Sequence, residues 1–165
     1  MKERPILFSA PMVRALLAGT KTQTRRVVKL PVKDKDVGCE LAGSELAGSP
    51  RDTHRHCPYG APGDVLWVRE AHRVIAHESV TPLLLVKYCA DEVARHCHVT
   101  PREYELFRAR KSELGSVVLA RFSYRSISRL LLEITAVRVE RLNDITEVDA
   151  IAEGVTKGPL TNRWA

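Results

Sequence analysis

Ser9-Ala10-Pro11-Met12-Val13-Arg14-Ala15-Leu16-Leu17-Ala18-Gly19-Thr20-Lys21-Thr22-Gln23-Thr24-Arg25-Arg26 changes its backbone preference once, at Gly19. Ser9 can cap a helix from about Pro11 to Ala18, because its hydroxyl accepts an unpaired amide of the first turn and proline fits that turn. Gly19 stands where a left-handed helix stop belongs. Met12, Leu16 and Ala15 supply the helix's inward stripe. Beyond the stop, Thr22 to Val28 is rich in β-branched residues and reads as a strand. Ile6-Leu7-Phe8, just upstream, reads as a short buried strand.

Working outward, the pattern dissolves from Lys29 to Gly63 into proline, glycine and alternating charge. Glu40–Ser44 is repeated at once as Glu45–Ser49, a tandem pentapeptide too short and too few for a structural array. Residues 30–56 are therefore expected to be a surface loop or insert within a single domain spanning 1–165. Val65–Arg69 and Leu83–Cys89 read as strands. Thr100-Pro101-Arg102-Glu103 is a capping box opening a helix to about Lys111. Val117–Phe122 and Leu130–Leu142 read as further strands. In the longer one the inward set changes from Leu132/Ile134/Ala136 to Val137/Val139, which predicts a bulge near Ala136. Thr146 with Asp149 caps a last helix ending at Gly154. Short strands with a few short helices predict a small, curved, barrel-like α+β domain rather than a doubly wound parallel sheet.

The net charge of +6 lies wholly in residues 1–30, where seven basic side chains meet only Glu3 and leave 19 of each sign downstream. Such an excess points to an anionic partner, nucleic acid or nucleotide, against the alternative of a solvated basic surface. No apolar run approaches the roughly 18 residues of a membrane span. No apolar stretch follows Met1 to Pro5 as a secretory signal would require, so the expected setting is cytoplasmic and off the membrane. Cys39, Cys57, Cys89 and Cys97 read as reduced thiols. His54-Arg55-His56-Cys57 and His96-Cys97-His98 lack closed zinc spacings, so neither a metal nor another cofactor is expected.

The densest chemistry is Gly19–Arg26, where hydroxyls and an amide interleave with three cations. Lys21 beside Thr24 can act as base to nucleophile if burial and like charge lower the lysine's pKa. On a straight strand, residues three apart face opposite sides, so a shared site requires Lys21 in the turn or on a bulge. The alternative is an exposed polar edge strand. Glu153 is an acid in the last turn of its helix, where the dipole disfavours an anion; the alternative is a solvent-facing glutamate. Glu70, ending Val65-Leu66-Trp67-Val68-Arg69-Glu70, is a second candidate, with an ion pair to an arginine as its alternative.

These segments together resemble the ASCH domain family, related in fold to the PUA RNA-binding domain, and within it the ASCH-like proteins of bacteriophages and prophages. The resemblance rests on Arg4-Pro5-Ile6-Leu7-Phe8-Ser9, on Met12 through Arg26, on Cys57-Pro58-Tyr59-Gly60, Pro62-Gly63-Asp64 and Leu66-Trp67-Val68-Arg69-Glu70. Leu132-Glu133-Ile134-Thr135 through Asp149-Ala150-Ile151-Ala152-Glu153-Gly154 complete it, over about half of the chain. It implies a PUA-like β-barrel with short flanking helices and a cleft for RNA or a modified nucleoside. Thr22, Gln23, Arg25, Arg26, Trp67, Arg69 and Glu70 fall at the ligand-binding positions.

One bacterial branch of the family hydrolyses the amide of cytidine acetylated on its exocyclic amine. By resemblance its catalytic lysine, threonine and glutamate fall on Lys21, Thr24 and Glu153. Phage-type relatives continue through another helix to a tryptophan-rich strand, whereas this chain stops at Arg163-Trp164-Ala165, so the barrel is expected to be open unless another element fills the gap. Three readings follow: an RNA- or nucleoside-binding module, an amidohydrolase on an acylated nucleoside, and an inactive truncated prophage remnant.

Overall fold

In the computed structural model the described residues are 1–28, 32–33, 40–41, 57–78, 80–109 and 113–155. The chain is of mixed α+β class and clusters into two compact units. One comprises Glu3–Arg14 and Val65–Leu132; the other comprises Met1–Lys2, Ala15–Asp64 and Glu133–Ala165. No described helix is long and apolar enough to cross a membrane.

The first unit is built on two sheets. β1 (Glu3–Leu7) pairs in parallel with β4 (Val65–Arg69), and β9 (Leu131–Glu133) lies on the other edge of β4. Alternation turns Ile6, Leu66 and Val68 inward and leaves Pro5, Leu7, Trp67 and Arg69 on the opposite face. The second sheet has the order β7-β6-β5-β8, from β5 (His72–His77), β6 (Leu83–Tyr88), β7 (Ala94–His98) and β8 (Val117–Val118). In β6 every second side chain is buried: Leu84, Val86 and Tyr88. They join Val74, Cys97, Val99, Ile127 and Tyr104 in the core, Tyr104 coming from α2 (Pro101–Ala109). The helix starts as its sequence predicts. Thr100 Oγ1 accepts from the Glu103 amide at 3.2 Å, and Glu103 Oε2 accepts from the Thr100 amide at 2.9 Å.

The second unit contains the end of α1 (Ala10–Leu17) and α3 (Glu147–Ala152). It also holds the small antiparallel ladder of β2 (Val32–Lys33) with β3 (Glu40–Leu41). Apart from these two strands, the 30–56 insert lies outside the described residues, as does the C-terminal stretch 156–165.

Several expected elements are shorter or differently placed. Thr22 to Val28 forms no strand, because the Thr22 and Gln23 amides both bond Ala152 O, at 2.8 and 3.0 Å, instead of a ladder partner. Leu130–Leu142 contracts to Leu131–Glu133, and Val117–Phe122 to Val117–Val118 followed by a 3-10 turn, Ala120–Phe122. The predicted bulge near Ala136 does not form, because no ladder runs there, and Ala136 is not part of the inward set. Leu132 and Ile134 are shielded, Thr135 and Ala136 are exposed, and Val137 and Val139 are shielded again, without a ladder. The strand β5 carries a register shift of its own, between Val74 and Ala76. β5 and β7 were not expected, since His72–His77 and Ala94–His98 are mostly polar or exposed. Among the described strands no ladder closes into a barrel.

Candidate functional site

Two helices of the second unit end in the same way. At the end of α1 the Gly19 amide bonds Leu16 O at 3.0 Å and the Thr20 amide bonds Ala15 O at 3.0 Å, with Gly19 at φ +72°. At the end of α3 the Gly154 amide bonds Ile151 O at 2.8 Å and the Val155 amide bonds Ala150 O at 3.1 Å, with Gly154 at φ +86°. Both are Schellman stops, which only a residue tolerant of the left-handed region completes cheaply.

Lys21 follows the first stop and is buried, at 4% relative exposure. Its amide also bonds Ala15 O, so it sits in the turn, as a shared site requires. Its Nζ donates to Gln23 O at 2.7 Å and to Glu153 O at 2.8 Å. The lysine therefore meets Glu153 through the main chain, at a helix C-terminus where carbonyls and dipole favour a cation. Burial lowers the Lys21 pKa; the Glu153 charge opposes this and the Arg26 charge adds to it. A neutral amine still has two N–H groups for the two carbonyls and gains a lone pair, so this setting is compatible with a base.

The acid that looks misplaced from sequence is compensated by cations. Glu153 Oε1 accepts from Arg25 at 2.8 Å, and Arg25 also reaches Glu140 at 2.9 Å and Asp149 at 3.5 Å. Hydrogen bonds donated to Glu153 and then to Glu140 hold the Arg25 guanidinium above its ordinary pKa. Arg138 closes the network, with Nε 2.5 Å from Glu140 and a terminal nitrogen 3.3 Å from Asp149 and from the side-chain oxygen of Gln23. Thr24 is exposed, and its Oγ1 accepts from Arg26 at 3.0 Å. Thr22 is exposed as well, fixed by its amide. The sequence reading missed Arg138 and Glu140. Their signal was parity, since positions 138 and 140 alternate with the inward Val137 and Val139.

Asp149 caps α3 by accepting from Thr146 Oγ1 at 2.7 Å and from the Thr146 amide at 3.2 Å. These bonds, with the Arg25 charge and a Gln23 hydrogen bond, bring its pKa down to about 2 from 3.8. A depressed carboxyl gives stability that is complete above the unfolded value and lost as pH falls towards the folded one. Asp149→Asn should therefore flatten the loss of stability between about pH 4 and 2, read from urea midpoints against pH. An unchanged slope would remove Asp149 from the acid response.

Trp67, Arg69 and Glu70 belong to the other unit. Glu70 is buried and bound in two-pronged fashion by Arg129, at 2.8 and 2.9 Å, so its ion-pair alternative describes its contacts. Arg69 lies 5.6 Å from the Trp67 ring centre and donates to Arg121 O. On β7, His96 and His98 are exposed while Cys97 between them is buried. Among the described residues no three or more His, Cys, Asp or Glu side chains gather as a metal site, and His54 and His56 lie outside those residues. No protein-family profile matches this chain, and no curated protein or solved structure matches it.

Proposed function

We propose that this chain is an ASCH-type, PUA-like protein that binds RNA or a modified nucleoside at the turn 19–26. The observation that carries the reading is the union of Lys21 with Glu153, 132 residues apart, around a buried ammonium. A chain that encloses a cation in a polar turn, with exposed hydroxyls and Arg26 beside it, offers the donors a nucleotide needs. Arg25 is committed to three carboxylates, while Arg26 is exposed and bonds the Thr24 hydroxyl beside the turn.

Calorimetric titration with cytidine, its N-acetyl derivative and a single-stranded RNA tests this. RNA affinity should fall steeply with salt, and Arg26→Ala should reduce the salt slope by roughly 0.7 per lost phosphate contact. Arg25→Ala should act on stability instead. A folded protein that binds none of the three ligands would sink the reading.

The burial-lowered pKa of Lys21 favours a second reading, an amidohydrolase on N-acylated cytidine. Lys21 as free amine takes the Thr24 hydroxyl proton while Oγ1 attacks the acyl carbonyl. The C–N bond breaks as the departing amine takes a proton by way of Glu153, and water then hydrolyses the Thr24 ester. Cytidine release should fall at least about 10²-fold in Lys21→Arg, which keeps the charge and removes the base. Turnover that survives this substitution rejects the assignment.

A further inference from the structure

The triplet His96-Cys97-His98 puts three metal-binding side chains in a row, and the strand β7 divides them. Successive side chains of a strand point to opposite faces, so positions 96 and 98 share one face and 97 takes the other. Cys97 is buried, its sulfur 3.7 Å from the Tyr88 hydroxyl, whereas His96 and His98 are exposed. The thiol is withdrawn into the core, and two imidazoles remain side by side in solvent.

The backbone that carries them is held on both sides of the pair. β7 runs antiparallel to β6 from Leu83↔His98 through Leu85↔His96 to Lys87↔Ala94. Beyond His98 the Val99 amide donates to Pro82 O at 2.9 Å, and at the other end the Tyr88 amide donates to Val93 O at 2.9 Å. Two residues of strand rise set the histidine Cα atoms about 6.6 Å apart. An ion about 2.0–2.1 Å from two imidazole nitrogens needs those nitrogens roughly 3 Å apart, which a lean of each ring supplies without moving the backbone. Binding therefore costs rotamer freedom and little else.

The surroundings leave both rings available. β7 ends the sheet order, and the cross-strand neighbours of the two histidines are the aliphatic Leu83 and Leu85. Further along the same face, the Lys87 charge is offset by Glu92 at 2.7 Å. Among the described residues no hydrogen bond, ion pair or ring contact takes up either imidazole. An edge strand that needs only protection from pairing is served by a fixed charge, which Arg95 supplies. The histidines add what arginine lacks, nitrogen lone pairs.

We propose that His96 and His98 form a two-imidazole chelate for a late first-row divalent cation, Cu(II), Ni(II) or Zn(II), with the remaining coordination positions open to water. Imidazole suits these ions, while Mg(II) and Ca(II) require oxygen ligands. Two protein ligands make an exchangeable site, distinct from the closed four-ligand kind that the sequence spacings exclude. The chelate lies in the first unit and does not depend on the reading of the 19–26 turn.

Nuclear magnetic resonance of the imidazole nitrogens reads the site in the wild-type chain. Zn(II) should shift the His96 and His98 rings together and saturate at one ion per chain, while Mg(II) shifts neither. Cu(II) should displace Zn(II), being the tighter binder at nitrogen ligands. His96→Ala or His98→Ala should weaken Zn(II) binding by at least about 10-fold, because the second bond of a chelate forms at high effective concentration. In the His98→Ala protein, adding Ala94→His rebuilds a same-face pair with His96 and should recover affinity. Adding Arg95→His instead places the new ring on the other face and should not. All four positions are exposed, so these variants should keep the wild-type circular dichroism. Zn(II) that moves other histidines and leaves these two unchanged would overturn the chelate. So would rings that titrate separately, a single alanine variant that binds as wild type, or equal recovery by Arg95→His.

Discussion

Arg129→Ala is expected to cost about 3–5 kcal/mol, the usual loss when one partner of a buried ion pair is removed. The Arg129 side chain is 7% exposed and Glu70 is 3% exposed. One guanidinium holds both Glu70 oxygens and both Asp91 oxygens, the latter at 2.7 and 3.0 Å. It also lies 4.0 Å from the centre of the Tyr88 ring, whose hydroxyl donates to Ile127 O at 2.7 Å. Burial alone would lower the Arg129 pKa; the hydrogen bonds and charges of Glu70 and Asp91 more than reverse this, and the group is held above its ordinary value. Truncation leaves the Glu70 carboxylate desolvated and unpaired, which costs far more than the pair contributes. Replacing both members, as Glu70→Gln with Arg129→Met, should therefore cost less than the single Arg129→Ala change. Urea denaturation of the three variants checks this. A loss below about 1 kcal/mol for Arg129→Ala would show that water reaches the pair.

The parts of the fold legible in the sequence are those fixed by local chemistry. Both predicted capping boxes form, at Thr100/Glu103 and Thr146/Asp149, because cap and partner lie three residues apart and need nothing distant. Gly19 and Gly154 take the positive φ that the stops require. Strands were harder, because pairing depends on what lies alongside. Thr22–Val28 has the composition of a strand, yet a helix terminus captures its first amides. β7 has no apolar alternation to betray it and is held by β6, from Leu83↔His98 to Lys87↔Ala94.

The candidate site divides along the same line. Lys21 in a turn and Glu153 at a helix end follow from local signals, whereas their sharing of one site was implied only by the family resemblance. The Arg25–Glu140–Asp149–Arg138 network could not be anticipated, because it joins segments more than a hundred residues apart by charges that look like ordinary surface. Arg129 was missed for a further reason. Sequence marks Glu70 as an acid at a strand end, while its partner is set by the tertiary pairing alone.

Gly154→Ala should lower stability by about 2–5 kcal/mol and disturb Lys21 in the same step. At φ +86° an L side chain carries a penalty of roughly 1–2 kcal/mol. A Cβ there would also stand 2.9 Å from the Ala15 Cβ, closer than carbon atoms pack, and 3.4 Å from the Lys21 Cβ, in contact with it. Overpacking of this kind adds about 1–3 kcal/mol, relieved only if the end of α3 backs away. Retreat would lengthen the 2.8 Å bond from Lys21 Nζ to Glu153 O and those from the Thr22 and Gln23 amides to Ala152 O. The two contributions separate in a double-mutant cycle with Ala15→Gly, which opens the space but leaves the backbone penalty. Ala15→Gly alone should cost about 0.5–1 kcal/mol near a helix end. Added to Gly154→Ala it should recover at least about 1 kcal/mol relative to additivity, and with it any ligand affinity lost at the 19–26 turn. Strict additivity would mean that the close approach of α1 and α3 is not what requires glycine at 154, leaving the left-handed stop as the whole reason.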